Sequence, residues 1–288
     1  MQKLGVIGQG YVGSAVKEGF NKYFDVKSFD RDESKSNFKT MDSFFVWLGQ
    51  YVFVCVPTPM NKNGSCNTDI VESVVKELDT LAKSHKRKPS ETIVIIKSTI
   101  PPGTTERLDE TYKNIKVCFS PEFLTEANFI DDFKNQNRII IGGNRFTNTK
   151  IKSDIFVKAF PDATIVKTSS TIAEMVKYTT NCFLATKVSF ANEVFEVCER
   201  LDVDYDKVVE YATYDERLGK SHWAVPGPDG HYGFGGSCFP KDINALIDVA
   251  KTKLDLYPHT LIGAWNTNLE VRPEEDWKEL KGRAVVDE

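Results

Sequence analysis

The sequence predicts an α/β protein in which a Rossmann-like parallel sheet domain, residues 1–170, is followed by a helical domain, residues 171–288. Short β-branched runs alternate with longer helical stretches through the first part of the chain, as in repeated βαβ units. A G-x-G-x-x-G pattern directly follows the first of these runs. Beyond Thr168, apolar residues recur at helical spacing over roughly 30 residues, well above the ordinary helix length.

Seven runs are predicted as strands: KLGVIG, DVKSFD, YVFVCV, TIVIIKS, IKVCFS, RIIIGG and ATIVKT. Several are apolar on both faces, which is typical of parallel strands covered by helices on both sides. The spacing between the runs leaves room for crossover helices.

The long helix is predicted to begin at a capping box formed by Thr171 and Glu174. Its apolar residues cover more than one face, too many for one small domain to bury, so we expect the helix to form a dimer core. These residues are Ile172, Met175, Val176, Phe183, Leu184, Val188, Phe190, Val194 and Val197. Further helices are predicted at DYDKVVEYATYD and KDINALIDVAKTK, and a short one at EEDWKELKG in a charged tail without a motif.

Composition narrows the possible functions. The formal net charge is −4 and 41% of the residues are hydrophobic, so we expect a sizeable core and no nucleic-acid partner. Six cysteines and four histidines show no CxxC pair and no metal-ligand spacing. That pattern favours reduced thiols, a cytoplasmic location and no metal. The N-terminus reads as a strand without a signal peptide, and no apolar run approaches the ~18 residues of a membrane span.

The glycine pattern predicts a dinucleotide site. Gly8 allows a tight turn, Gly10 lets a pyrophosphate approach the backbone, and Gly13 permits close helix packing. Asp30 ends the second predicted strand, where its carboxylate would bind the adenine-ribose hydroxyls and repel a 2′-phosphate. NAD is therefore preferred over NADP, although Arg31 follows directly. A glycine turn that binds nothing is the alternative.

A second set of residues could carry hydride transfer and covalent sulfur chemistry. Lys177 and Asn181 are four residues apart on the long helix and share one face; a solvated stripe is the alternative. Glu122 and Glu126 follow a predicted strand, where helix-start carboxylates are also common. The segment GFGGSCFPKD presents Cys238 behind glycines, with Lys241 and Asp242 close by; Lys241 and the helix start favour the thiolate. A glycine-rich turn with a structural cysteine is the alternative there.

Together the motifs resemble the nucleotide-sugar 6-dehydrogenases, the UDP-glucose and GDP-mannose dehydrogenase family. The segments that carry the resemblance are GVIGQGYVG, VCVPTP, STIPPGTT, SPEFLTEANFIDDF, AEMVKYTTNCFLATKVSFANE, DERLG and GFGGSCFPKD. They occur in the family's order up to about residue 250. The resemblance implies NAD-dependent oxidation of a sugar 6-hydroxyl to a carboxylate in two hydride transfers, a step typical of polysaccharide biosynthesis.

The resemblance also implies a role for each matched residue. Cys238 falls on the nucleophile that forms a thiohemiacetal and then a thioester, and Asp242 on the acid/base beside it. Lys177 and Asn181 fall on the donors to the oxyanion. The remaining positions fall on three groups: water and nicotinamide contacts (Thr99 and Glu126), the cofactor edge (Tyr11, Val12, Pro57 and Thr58), and substrate contacts (Glu122, Phe123, Leu124, Arg217, Tyr232, Phe234 and Gly235). In the family, the arginine at Arg217 comes from the neighbouring subunit of a dimer.

The chain departs from the family pattern at its end. After GRAVVD there is no second strand–helix series. We therefore expect either a short natural form without most or all of the C-terminal nucleotide-binding domain, or a fragment of a longer chain. A UDP-sugar is the favoured substrate, but the residues identify neither the sugar nor the base of the nucleotide. Two alternatives remain: a two-electron β-hydroxyacid dehydrogenase, which needs no thiol, and a non-catalytic NAD-binding protein.

Overall fold

The computed structural model describes residues 1–287. The chain divides into two compact units. Unit 1 comprises Met1–Thr58 and Thr68–Lys177, and unit 2 comprises Pro59–Asn67 and the chain from Tyr178 onward. Each unit is described by itself below.

Unit 1 contains a seven-stranded sheet in the order β2-β1-β3-β4-β5-β6-β7. The strands are β1 (Lys3–Ile7), β2 (Asp25–Phe29), β3 (Tyr51–Val54), β4 (Ile93–Ile96), β5 (Lys116–Phe119), β6 (Arg138–Gly142) and β7 (Thr164–Thr168). All seven predicted strands are confirmed. Neighbours are parallel except β5 and β6, which meet antiparallel at the single pair Phe119 and Gly142. A run that is apolar on both faces predicts a buried strand but not its direction, so the sequence did not predict this exception.

Helices cover both faces of this sheet. They are α1 (Tyr11–Phe20), α2 (Met41–Trp47), α3 (Asp69–Ser84), α4 (Thr104–Thr111), α5 (Phe129–Lys134), α6 (Arg145–Ile151) and the short α7 (Val157–Ala159), with a π-helical turn at Lys152–Phe156. Alternate residues of a strand point to opposite faces. Tyr51 and Phe53 of β3 accordingly join one apolar cluster, whereas Val52 and Val54 join the other.

The predicted capping box at the start of the long helix is wrong. The helix, α8, spans Ser170–Leu201, and the amide of Ile172 donates to the hydroxyl of Ser169. Glu174 is fully buried and accepts hydrogen bonds from the amides of Gly103 and Thr105 and from the Thr105 hydroxyl. This glutamate therefore caps α4 rather than its own helix, because a side chain one turn into α8 can reach a neighbouring element.

Unit 2 is helical. Besides the part of the 32-residue helix α8 from Tyr178 onward, it contains α9 (Tyr205–Ala212), α10 (Phe239–Asp248) with a π-helical turn at Val249–Lys253, α11 (His259–Val271), and 3₁₀ turns at Glu216–Leu218 and Asp276–Glu279. Its apolar core includes Tyr178, Phe234 and Ile243. Among the described residues, no helix is both long and apolar enough to cross a membrane.

The segment Pro59–Asn67 belongs to unit 2 although it lies between β3 and α3 in the sequence. The amide of Met60 donates to the carbonyl of Ala284, and the amide of Val286 donates to the carbonyl of Met60. These backbone bonds attach the segment to the C-terminal part of unit 2.

Candidate active site

In unit 1 the glycine turn has the conformation that a dinucleotide requires. Gly8 adopts a φ of +90°, and a Cβ at Gly13 would lie 1.8 Å from the carbonyl oxygen of Gly8. A Cβ at Gly10 would meet nothing within 4 Å, so the backbone there is open to an approaching group. Gly10 is also the N-cap of α1 and brings no side chain to the exposed amides of the first turn. The turn therefore fits a pyrophosphate at a helix N-terminus.

The acidic residue predicted for the ribose lies beside this turn. Asp30 follows β2, and its Oδ2 accepts a hydrogen bond from the backbone amide of Gln9 at 2.6 Å. Nearby on the chain, Tyr11 is exposed and packs edge-to-face on Phe129, and Val12 is partly buried. The carboxylate is thus held against the turn where an adenosine ribose would bind.

The predicted cofactor edge lies at the ends of β3 and β4. The buried Thr58 hydroxyl donates to the carbonyl of Thr99 at 2.8 Å, which ties the two segments together. Pro57 is exposed. Glu126 is exposed in the segment after β5. The carboxyl ends of parallel strands are where ligands bind in open α/β sheets.

Lys177 and Glu122 form a buried ion pair within unit 1. The ammonium Nζ lies 2.8 Å from Glu122 Oε1 and donates to the Glu122 carbonyl at 2.9 Å. Burial alone would raise the pKa of Glu122, but the Lys177 ammonium and the amide of Leu124 outweigh it and hold this pKa below its usual range. The Glu122 carboxyl group is therefore charged near neutral pH.

A second buried lysine supports this pair and was missed from the sequence. Lys97 directly follows β4 and donates to the carbonyls of Ser120 and Pro121 at 2.9 and 3.2 Å, the two residues before Glu122. Burial lowers the pKa of Lys97 to about 8, although Cys55 and Glu122 oppose that shift. The sequence signal that could have indicated this buried lysine is a charged residue directly after an apolar strand, in IVIIKS.

A cavity of about 470 Å³ adjoins these groups. Its lining includes Lys97, Glu122, Phe123, Leu124, Phe133 and Arg138. The guanidinium of Arg138 lies 4.0 Å from the centre of the Phe123 ring, and the amide of Leu124 donates to Glu122. The predicted substrate residues Glu122, Phe123 and Leu124 thus share one wall of a polar cavity.

Unit 2 holds the thiol. Cys238 is half-buried at the N-cap of α10, and its Sγ lies 3.8 Å from the hydroxyl oxygen of Ser237. Lys241 pairs with Asp242. Burial would lower the pKa of Lys241, but its interactions with Asp242, and to a lesser degree with Cys238 and Cys66, outweigh burial and raise this pKa. The Lys241 ammonium therefore stays charged beside the thiol.

Asp242 is almost fully buried and is held from two sides. Its Oδ2 accepts a hydrogen bond from Asn181 Nδ2 at 2.6 Å, and its Oδ1 pairs with the Lys241 ammonium. Cys66 and Tyr178, which the sequence did not single out, lie against the same group. Burial raises the pKa of Tyr178 well above its usual value, and its interactions with Cys66 and Asp242 add to the shift.

The remaining predicted residues of unit 2 lie on the loop that precedes Cys238 and in a 3₁₀ turn. Phe234 is buried in the core, Gly235 is partly buried, and Tyr232 is exposed and packs on Phe195. Arg217 is largely exposed and pairs with Asp215 two residues away. Among the described residues, Arg217 shows no contact with Cys238, Lys241 or Asp242 of its own chain.

The fold and the glycine turn define a dinucleotide-binding protein of the dehydrogenase type. Residues 46–160 match the family model "UDP-glucose/GDP-mannose dehydrogenase family, NAD binding domain", and residues 171–268 match the model of the same family's central domain. The chain belongs to the UDP-glucose/GDP-mannose dehydrogenase family, and its cofactor is NAD.

Individual relatives agree with this assignment. UDP-glucose 6-dehydrogenase TuaD of Bacillus subtilis is 33% identical over 220 residues, which cover 74% of this chain and 44% of that protein. UDP-glucose 6-dehydrogenase AglM of Haloferax volcanii is 32% identical, over 82% of this chain and 55% of that protein. A UDP-glucose dehydrogenase structure from Pyrobaculum islandicum superposes with a TM-score of 0.82 at 29% identity, covering 94% of this chain and 68% of that one. The chain thus spans about half the length of the curated relatives it matches.

Proposed function

We propose that this chain oxidises the 6-hydroxyl of a nucleotide sugar, of the UDP-glucose type, to a carboxylate in two steps that depend on a cysteine. The observation that carries the proposal is the group around Cys238. The thiol begins α10, next to a charged Lys241 and to Asp242, which Asn181 holds. A β-hydroxyacid dehydrogenase has no use for such a thiol.

When bound, NAD supplies the hydride acceptor, one molecule for each oxidation step. In this proposal the first step converts the C6 alcohol to an aldehyde, with Asp242 and ordered water taking the hydroxyl proton. The Cys238 thiolate then adds to the aldehyde carbon, which forms a C–S bond and turns the carbonyl oxygen into an oxyanion. Loss of the second hydride from C6 gives a thioester. Attack by water breaks the C–S bond and releases the carboxylate and the thiolate.

The charged residues suit these steps. The Lys177 ammonium and the Asn181 amide are the proposed donors to the oxyanion. Glu122 supports that role, because its carboxylate pairs with the buried Lys177 ammonium at 2.8 Å. Lys241 and the N-terminus of α10 favour the Cys238 thiolate. We assign Glu126 and Thr99 to the attacking water and the nicotinamide.

We also propose a homodimer in which Arg217 acts in the neighbouring subunit's site. Two observations support it: Arg217 is largely exposed, and α8 carries exposed apolar residues in unit 2. All six cysteines are thiols, which fits a reducing compartment, so we propose a cytoplasmic location.

The test counts NADH released per sugar nucleotide, with UDP-glucose, GDP-mannose and UDP-N-acetylmannosamine offered separately. Two NADH per molecule and a carboxylate product are expected for one of them. In Cys238→Ser the reaction should stop after the first oxidation, because a serine hydroxyl is a far poorer nucleophile near neutral pH. Cys198→Ser, at a buried cysteine near the C-terminal end of α8, is the control and should retain two NADH.

Thiol labelling gives an independent readout. Cys238 should react with iodoacetamide faster than the other five cysteines, and bound sugar nucleotide should protect it. Burial raises the pKa of Cys55 to about 12 and raises the pKa of Cys118 and Cys182 as well, so these thiols should react slowly. Two NADH from Cys238→Ser at the parent rate would overturn the nucleophile assignment. One NADH per substrate in both proteins would favour the β-hydroxyacid alternative, and NAD binding without turnover would favour a non-catalytic protein.

A further inference from the structure

The loop that precedes Cys238 rests on the C-terminal end of α11. This loop, Tyr232–Ser237, is called the glycine loop below. Asn268 and Arg272 are four residues apart, so they lie on the same side of that helix end. Both side chains are buried, and both contact the glycine loop directly.

Asn268 binds the backbone of Phe234 at both of its polar groups. Its Oδ1 accepts from the Phe234 amide at 2.7 Å, and its Nδ2 donates to the Phe234 carbonyl at 3.0 Å. The amide of Gly233 donates to Asn192 Oδ1 at 3.1 Å. Gly233 has a φ of +64°, and a Cβ there would lie 2.4 Å from Asn268 Oδ1. Only glycine fits this position while Asn268 stays in place.

The guanidinium of Arg272 packs directly against the backbone of Gly235 in the same loop. A Cβ on Gly235 would lie 2.4–2.8 Å from three atoms of the Arg272 guanidinium. That side chain is only 1% exposed and cannot swing away easily, because Asp276 binds its Nε and Nη2 and Asp229 binds its Nη1. Its Nη1 also faces the carbonyl oxygen of Tyr232 at 3.4 Å.

We propose that Asn268 and Arg272 are positioning residues that hold the glycine loop in its working shape before any ligand binds. Their catalytic consequence rests on the proposed function, in which this loop wraps the sugar nucleotide and presents Cys238. A loop already ordered in the free protein spares the ligand the cost of ordering it. It also keeps the thiol in a fixed place for attack.

Amide hydrogen exchange tests the proposal on the intact chain without substrate or cofactor. In the parent protein, peptides that cover Gly233 and Phe234 should exchange slowly. Asn268→Asp keeps the shape but loses the donor to the Phe234 carbonyl, so exchange there should accelerate about tenfold or more. Asn148→Asp is the matched control in unit 1, because Asn148 is equally buried and donates to the carbonyls of Gly143 and Thr168. It should leave exchange in the glycine loop unchanged.

A double-mutant cycle tests Arg272. Gly235→Ala should accelerate exchange in the loop, because the new methyl group collides with a guanidinium that two carboxylates hold. In the Arg272→Ala background the same substitution should have an effect about tenfold smaller, since the space is then open. In the kinetic assay, the Asn268 and Arg272 variants should raise KM for the sugar nucleotide and lower kcat, with KM for NAD unchanged.

Fast exchange of the loop in the parent, at the rate of exposed segments, would overturn the proposal. So would additive effects in the cycle, or equal changes in KM for both substrates. A parent protein that oxidises no sugar nucleotide would refute the proposed function but not the exchange results. The two failures are therefore distinguishable.

Discussion

Asn181 Nδ2 lies 2.6 Å from Asp242 Oδ2, which joins two helices of unit 2 through a carboxylate that is 1% exposed. The other oxygen of that carboxylate pairs with Lys241. The negative charge is therefore balanced on one side by an ammonium and held on the other by a neutral donor. This arrangement fixes the carboxylate four residues after Cys238, one turn into the helix that the thiol begins.

Replacing Asp242 with asparagine should destabilise the protein by about 3–5 kcal/mol, because the mostly buried Lys241 ammonium loses its balancing charge. Urea unfolding at neutral pH measures this difference. The control is Glu196→Gln, which removes the carboxylate of an exposed pair with Arg200 in the same unit and should change stability little. Equal stability of Asp242→Asn and the parent would contradict the inferred charge balance.

Asp30→Ala should weaken NAD binding about tenfold and reduce the preference over NADP, because the ribose loses an acceptor and the 2′-phosphate loses a repelling charge. Calorimetry with each cofactor measures both effects. Asp32→Asn is a suitable control, since Asp32 is a nearby carboxylate that accepts from the amide of Ser34. No NAD affinity in the intact parent chain would refute the cofactor site itself.

Val197→Glu should convert the proposed dimer into a monomer. Phe183, Phe190, Val197 and Leu201 follow one stripe of α8 and are 53–67% exposed. A charge in the middle of an apolar interface is costly to bury. Sedimentation at micromolar concentration gives the test, with Phe146→Glu as the control, because Phe146 is equally exposed but lies on α6 of unit 1. A monomeric parent would remove the basis for Arg217 acting in a neighbour's site.

Lys97 should make stability depend on pH above about 8. Its folded-state pKa of about 8 lies below the ordinary value of 10.5, so the unfolded chain binds the proton more tightly between these values. Stability from this group therefore rises as pH increases from 8 toward 10.5, by at most about 1.4 kcal/mol per pH unit.

The measurement is the difference in unfolding free energy between the parent and Lys97→Met at several pH values. Cys55, Cys118, Glu122 and Lys177 face Lys97, and all four are present in both proteins, so titration common to the pair cancels to first order. The difference should grow in favour of the parent between pH 8 and 10. A difference that stays flat over this range would show that Lys97 is not buried as described.

The strands could be predicted because their signal is local. Each run of β-branched residues marks its own strand, and the glycine turn lies between β1 and α1, where its pattern places it. Direction is a property of a pair of strands, so the antiparallel contact of Phe119 and Gly142 has no local signal. Glu174 failed as a capping residue for the same reason, since its partners Gly103 and Thr105 are far away in sequence.

The predicted site residues came partly from spacing and partly from family resemblance, and their roles remain predictions. The sequence did not predict a role for Lys97, Asn268 or Arg272, because each residue contacts a segment far away in the sequence. Lys97 binds backbone carbonyls, and Arg272 packs against Gly235. The structural role of such a residue can be recognised only when its partner, which is distant in sequence, is known. The charged tail after Arg272, in which the sequence showed no motif, supplies Asp276, which binds the Arg272 guanidinium, and the buried Trp277.

The course of the main chain limits how this protein can be dissected. It passes from unit 1 to unit 2 after Thr58, returns at Thr68, and passes over again after Lys177, inside α8. A single cut at residue 170 would leave Met60 without the backbone partners that Ala284 and Val286 provide. Such a cut would also remove residues 170–177 of α8 from unit 1. Substitutions in the intact chain leave these connections in place and are therefore the better way to map cofactor binding.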